Sequence, residues 1–111
     1  MPKYLYRASY TTEGLKGLLK EGAAKRREVV EQLTKALGGT VEAFYFAFGD
    51  DDVYVISDVP DNVTTAAISL AVNASGAVKV KTTVLLTPEE VDQAAKMTVN
   101  YRPPGTIMIP P

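Results

Sequence analysis

Residues 40–48 read Thr40-Val41-Glu42-Ala43-Phe44-Tyr45-Phe46-Ala47-Phe48, and residues 52–58 read Asp52-Val53-Tyr54-Val55-Ile56-Ser57-Asp58, with only Gly49-Asp50-Asp51 between them. Both runs are rich in aromatic and β-branched residues and are bounded by turn formers, which predicts two strands joined as a tight hairpin. Successive side chains on a strand point to opposite faces. Unbroken alternation therefore sends Val41, Ala43, Tyr45 and Ala47 one way and Phe44, Phe46 and Phe48 the other. In the second strand Val53 and Val55 oppose Tyr54 and Ile56. Each face is apolar, so this sheet needs cover on both sides.

Working outward, residues 3–10 (Lys-Tyr-Leu-Tyr-Arg-Ala-Ser-Tyr) alternate and predict a first strand. Thr11-Thr12-Glu13-Gly14 opens a helical region to about Leu37. Its apolar stripes, Leu15/Leu18/Leu19 and Val29/Val30/Leu33/Ala36/Leu37, are parted by Gly22, where a kink or break is expected. Gly38-Gly39 ends it. Pro60-Asp61-Asn62 supplies a turn and a cap for a second helix to about Ala74, and Gly76 stops that one. Residues 78–86 predict a fourth strand. Thr87-Pro88-Glu89-Glu90 has the residue order of a helix start, with Thr as cap, Pro in the first turn and Glu three residues on. A short helix over 88–98 follows, and residues 99–111 read as an extended, Pro-rich arm beyond a domain spanning 1–98.

The order β-α-β-β-α-β predicts an α+β, ferredoxin-like fold: a four-stranded antiparallel sheet with both helices on one face. The other face stays open. Its cover is either a second copy packed sheet to sheet or the last helix, which has under four turns. An uncovered aromatic face would exceed the apolar patch that soluble monomers usually show, so self-association through Phe44, Phe46 and Phe48 is the expected answer. Ile107, Met108 and Ile109 in the arm are expected to clamp a neighbouring subunit or extend its sheet edge.

Composition narrows the chemistry. The chain has 111 residues, 12 Lys plus Arg against 13 Asp plus Glu, and no His, Cys or Trp. One domain fits that length. Without Cys there is no disulfide, thiolate nucleophile or thiolate metal site, and without His the commonest acid–base group and transition-metal ligand are missing. A net charge of −1 argues against a nucleic-acid binder held by phosphate attraction. No apolar run is long enough to span a bilayer, and Met1-Pro2-Lys3 leads into a strand rather than a signal peptide, so a cytoplasmic protein is expected. No cofactor is expected.

The run from Lys3 to Gly105 resembles the GYD domain family of small bacterial and archaeal proteins. The likeness is carried by Ala8-Ser9-Tyr10-Thr11 with Glu13-Gly14-Leu15-Lys16-Gly17-Leu18, by Gly22 with Arg26-Arg27, and by Gly38-Gly39. It continues through Ala43-Phe44-Tyr45-Phe46-Ala47-Phe48-Gly49, Pro60-Asp61-Asn62, residues 70–76 and Leu86-Thr87-Pro88-Glu89-Glu90. At the Gly-Tyr-Asp signature this chain has Gly49-Asp50-Asp51-Asp52, with Asp51 in the place of the Tyr. The resemblance implies a dimeric α/β-barrel and brings no agreed activity.

Candidate site residues are few. Arg7 is in phase with Leu5 and Ser9, and Lys79 and Lys81 with Thr83 and Leu85. The first and fourth strands should be neighbours, so these cations can share the open face and, with Tyr6 and Tyr54, hold a small anionic ligand. Arg26 and Arg27 near the start of the long helix form a second candidate anion site. Asp50-Asp51-Asp52 reads as a solvated hairpin tip and not a metal site, because adjacent side chains in a tight turn diverge. Three functions compete: a homo-oligomer that binds a small anion, a cofactor-independent isomerase or monooxygenase using Arg, Tyr and Asp, and a metabolite or anion sensor at a subunit interface.

Overall fold

The computed structural model describes residues 1–105, so the expectations for Ile107, Met108 and Ile109 lie outside the described residues. The elements run β1 (Lys3–Tyr10), α1 (Thr12–Glu21), α2 (Ala23–Ala36), β2 (Thr40–Phe46), β3 (Val53–Asp58), α3 (Asn62–Ala74), β4 (Val78–Leu85) and α4 (Pro88–Ala95). The sheet is antiparallel with order β2-β3-β1-β4. This is the α+β arrangement predicted from the strand pattern, with the long helical region divided in two.

Gly22 makes that division. Its φ of 97° is one that side chains with a Cβ rarely adopt. Its N–H donates to Leu18 O at 2.8 Å, closing α1 as α2 begins in a new direction. The other helix starts follow their cap residues. Thr11 accepts from Gly14 N, Asp61 accepts from Thr64 N, and Thr87 and Glu90 exchange both bonds of a capping box ahead of α4. Hydrogen bonding to Thr64, from the backbone first and the hydroxyl second, holds the Asp61 carboxyl below its ordinary pKa.

The helix-side face of the sheet carries the core. Tyr4, Tyr6, Val53, Val55 and Val59 are buried together, with Ala8, Tyr10, Val41, Phe44, Ile68 and Val80 packed around them. Tyr6 is tied to α3 through a hydrogen bond between its hydroxyl and Thr65 Oγ1, and Tyr4 donates to Asn62 Oδ1 at 2.6 Å. Burial raises the Tyr6 pKa, with the Thr65 bond opposing.

Two sequence expectations for β2 change here. A bulge between Val41 and Ala43 interrupts the alternation. Val41 pairs with Ser57 and Phe44 with Val55, so Val41 joins the Phe residues on the helix side, while Ala43 and Tyr45 face the other way. Phe44 packs against the core, and Phe46 stacks edge-on to it at 5.5 Å between centroids. Phe44 and Phe46 thus serve the helix-side core rather than the open face. Phe48 lies past the end of β2, fully exposed. β2 ends at Phe46, two residues before the predicted run does, and Ala47 N–H bonds Asp52 O to close the hairpin.

The open face bears Leu5, Ala43, Tyr45, Tyr54, Ile56 and Leu85, opposite in phase to the core residues. α4 does not cover it: every residue of that helix is exposed. Among the described residues no helix is long and apolar enough to cross a membrane.

Candidate functional site

β1 lies between β3 and β4, and its register assembles a polar row on the open face. Arg7 is the Cα partner of Tyr54 on one side and of Lys81 on the other, while Ser9 partners Lys79. Four of the five predicted ligand residues (Arg7, Tyr54, Lys79 and Lys81) therefore share a face. Tyr6 is on the opposite one, buried in the core.

The row has an anchor that sequence reading assigned to solvent. Asp51 is 4% exposed. Its Oδ2 lies 3.9 Å from Arg7 Nη1, its Oδ1 lies 4.0 Å from Lys81 Nζ, and Oδ1 accepts from Ser9 Oγ at 3.2 Å. The three consecutive aspartates part company. Asp50 is exposed and uses its backbone carbonyl as an acceptor for Ser9. Asp52 stitches the hairpin to β1: its N–H donates to Ala8 O, and its Oδ2 accepts from Tyr10 N, both at 2.8 Å. Because β1 runs antiparallel to β3, Ala8 and Ser9 come alongside the start of β3. The hairpin is then pressed against the β1 end instead of hanging free. Two in-strand cations on one face were the available signal that a counter-charge had to come from somewhere.

Arg7 keeps unused capacity. Its Nε is buried and has no hydrogen-bond partner among the described residues, and its contact with Asp51 is longer than a direct hydrogen bond. Lys81 is mostly exposed. With Lys81 open to solvent and both Asp51 contacts long, the arrangement can accept an anion from the open side, with Tyr54 supplying a hydroxyl, while the Ser9 O–H is already given to the hairpin. At the other end of the sheet, Lys3 is paired with Glu42 at 2.7 Å and Asp58 at 3.0 Å, and these bonds, Glu42 first, raise its pKa. That cluster is already balanced and offers an anion little.

A family comparison covers nearly all of this architecture: the GYD domain model matches residues 4–95. The chain belongs to the GYD domain family. The match spans all four strands and α4, so in GYD terms the row on β1, β3 and β4 and the Asp51 anchor both lie inside the domain. No curated protein and no solved structure matches the chain.

The second anion candidate does not survive as a pair in this GYD domain. Arg27 points to solvent and pairs with Glu31 at 3.7 Å, as Lys25 does with Glu28. Arg26 instead turns inward against Tyr10. Burial raises the Tyr10 pKa, opposed by the Arg26 charge and hydrogen bond. Among the described residues, no group of three His, Cys, Asp or Glu is placed to hold a metal ion.

Proposed function

We propose that this GYD domain acts as a homo-oligomer, at least a dimer, assembled through the open face of its sheet, and that the Tyr54–Arg7–Lys81 row holds a small anionic ligand within or beside that seam. The observation that carries the reading is the open face itself. Tyr45, 71% exposed, stands beside Tyr54, Ile56, Leu5 and Leu85, and among the described residues no helix or strand lies over them. Sheets with one bare apolar face are stabilised by a second layer. α4 supports the same conclusion. It is a well-capped helix of eight residues, below the roughly 12–15 at which an isolated helix holds in water, yet Val91, Ala94 and Ala95 touch solvent. A neighbouring copy supplies what both surfaces lack.

Light scattering at micromolar concentration tests this directly. The expected mass is at least twice the 12.0 kDa of one chain. Ile56→Glu and Tyr54→Glu place charge on the apolar face and are expected to yield monomers with unchanged far-ultraviolet dichroism. A monomeric wild-type chain across that range would overturn the assembly.

A further inference from the structure

The helix-side layer holds a half-open pocket of about 90 Å³ between the sheet and helices α2 and α3. Its walls are almost wholly apolar, chiefly Val30, Phe44, Val55, Ile68 and Val80. Polar groups are confined to the ends. At one lie Arg26 and the Tyr10 hydroxyl, near the β1 terminus; toward the other lies Ser57, which is 1% exposed. Thr34 has spent its hydroxyl on Val30 O. Arg26 has no carboxylate within ion-pair distance among the described residues, although Lys25 and Arg27 beside it each have one.

Walls this apolar favour an apolar occupant over water. An apolar cavity of about 150 Å³ takes up benzene, while a water needs only about 10–15 Å³ together with several polar partners. About 90 Å³ suits a body smaller than benzene, and the one cation at its mouth selects the charge of the other end. We propose that this cavity is a binding site for a short-chain aliphatic carboxylate, its alkyl body between the sheet and α3 and its carboxylate on Arg26. Glu13 and Glu21 line the groove beyond Arg26, so the carboxylate is received on the inner side of the guanidinium. The site is on the opposite face from the Arg7 row and does not depend on assembly.

The test is an amide chemical-shift titration of the full chain with propionate, butyrate and pentanoate, and with 1-pentanol, at constant ionic strength. Perturbations are expected at Ala8, Val55 and Ile68. Affinity should tighten about fourfold per added methylene until the cavity is full. Pentanoate should bind about tenfold tighter than pentanol. Arg26→Gln should remove that preference and leave pentanol binding intact, and Ala8→Val, which fills the void, should weaken both. The proposal is overturned if pentanol binds as well as pentanoate, if chain length has no effect, or if the shifts map to Arg7 and Lys81 on the open face.

Discussion

Replacing Asp51 by Asn should strengthen anion binding at the Arg7–Lys81 row, the reverse of what removing a buried, ion-paired residue usually does. Asp51 sits 3.9 and 4.0 Å from the two cations, so an anion approaching them from the open side meets its charge at about 6 Å. Coulomb's law at that distance, with an effective dielectric of about 40–80 for a site facing solvent, gives about 0.7–1.4 kcal/mol of repulsion per unit charge. Screening at physiological ionic strength roughly halves this, and a dianion doubles it again. Sulfate affinity should therefore rise about threefold to tenfold in Asp51→Asn. Folding is expected to change by less than about 1 kcal/mol. The Asn oxygen can still accept from Ser9, the cations lost as partners are substantially exposed and pair weakly, and a buried carboxylate no longer has to be desolvated. Isothermal titration with sulfate, beside a urea midpoint for each variant, reads both quantities. Arg7→Gln should abolish binding in either background. Unchanged or weaker sulfate binding by Asp51→Asn, with stability intact, would show that Asp51 positions the cations for something other than an anion, and the proposed site would fall.

Two further outcomes follow from packing and titration. In α1, Gly14→Ala and Gly17→Ala have equal helix-propensity gains of up to about 1 kcal/mol but opposite expected signs. A Cβ at Gly14 would penetrate Ala77 O, which Thr11 N–H already holds at 3.0 Å, whereas one at Gly17 meets open space. Thermal unfolding should show Gly17→Ala up to about 4 °C more stable and Gly14→Ala less stable, because α1 must lift and surrender its Thr11 bonds, each worth about 1 kcal/mol; a rise in both would refute the close approach. In alkali, Tyr6 and Tyr10 have folded pKa values raised mainly by burial, so the stability they contribute is fully present below about pH 10 and is lost as pH rises through the folded values. Ultraviolet phenolate absorbance, read as the difference between the wild-type chain and Tyr6→Phe or Tyr10→Phe, should show each of these two phenols lagging until the chain unfolds; a difference curve centred at the ordinary tyrosine pKa would contradict their placement.

The strand plan, the Gly22 break and all the helix starts were legible in the sequence because each is written in neighbouring residues: alternation, a glycine without a Cβ, a cap with its partner three positions on. The facing of β2 was not. Its alternation from Val41 to Phe48 looks unbroken, yet one extra residue at Glu42 puts Val41 and Phe44 on the same side. The bulge is favoured tertiarily: Glu42 reaches Lys3, 39 residues away, and Val41 gains the core. Nothing within the strand's own pattern reports that gain.

The Asp50-Asp51-Asp52 run makes the same point about the site. As a local string, three like charges at a turn belong in water, because none can shield another. In the fold, the β1 terminus sorts them by what each can reach: water for Asp50, two strand cations for Asp51, and the Tyr10 amide for Asp52. The cations were visible as Arg7 and Lys81, and so was their shared face, since strand order and phase fix it. A carboxylate that is 4% exposed is tolerable only where opposite charge is at hand. Arg7 and Lys81 therefore help the hairpin fold against β1, beside the Ser9 bond to Asp51 and the Asp52 bonds to Ala8 and Tyr10. That couples the candidate site to the fold. A variant that neutralises both cations removes the proposed anion site and also leaves Asp51 buried without compensation, so it should loosen the hairpin. Asp51→Asn is expected to open the site to anions without that loss.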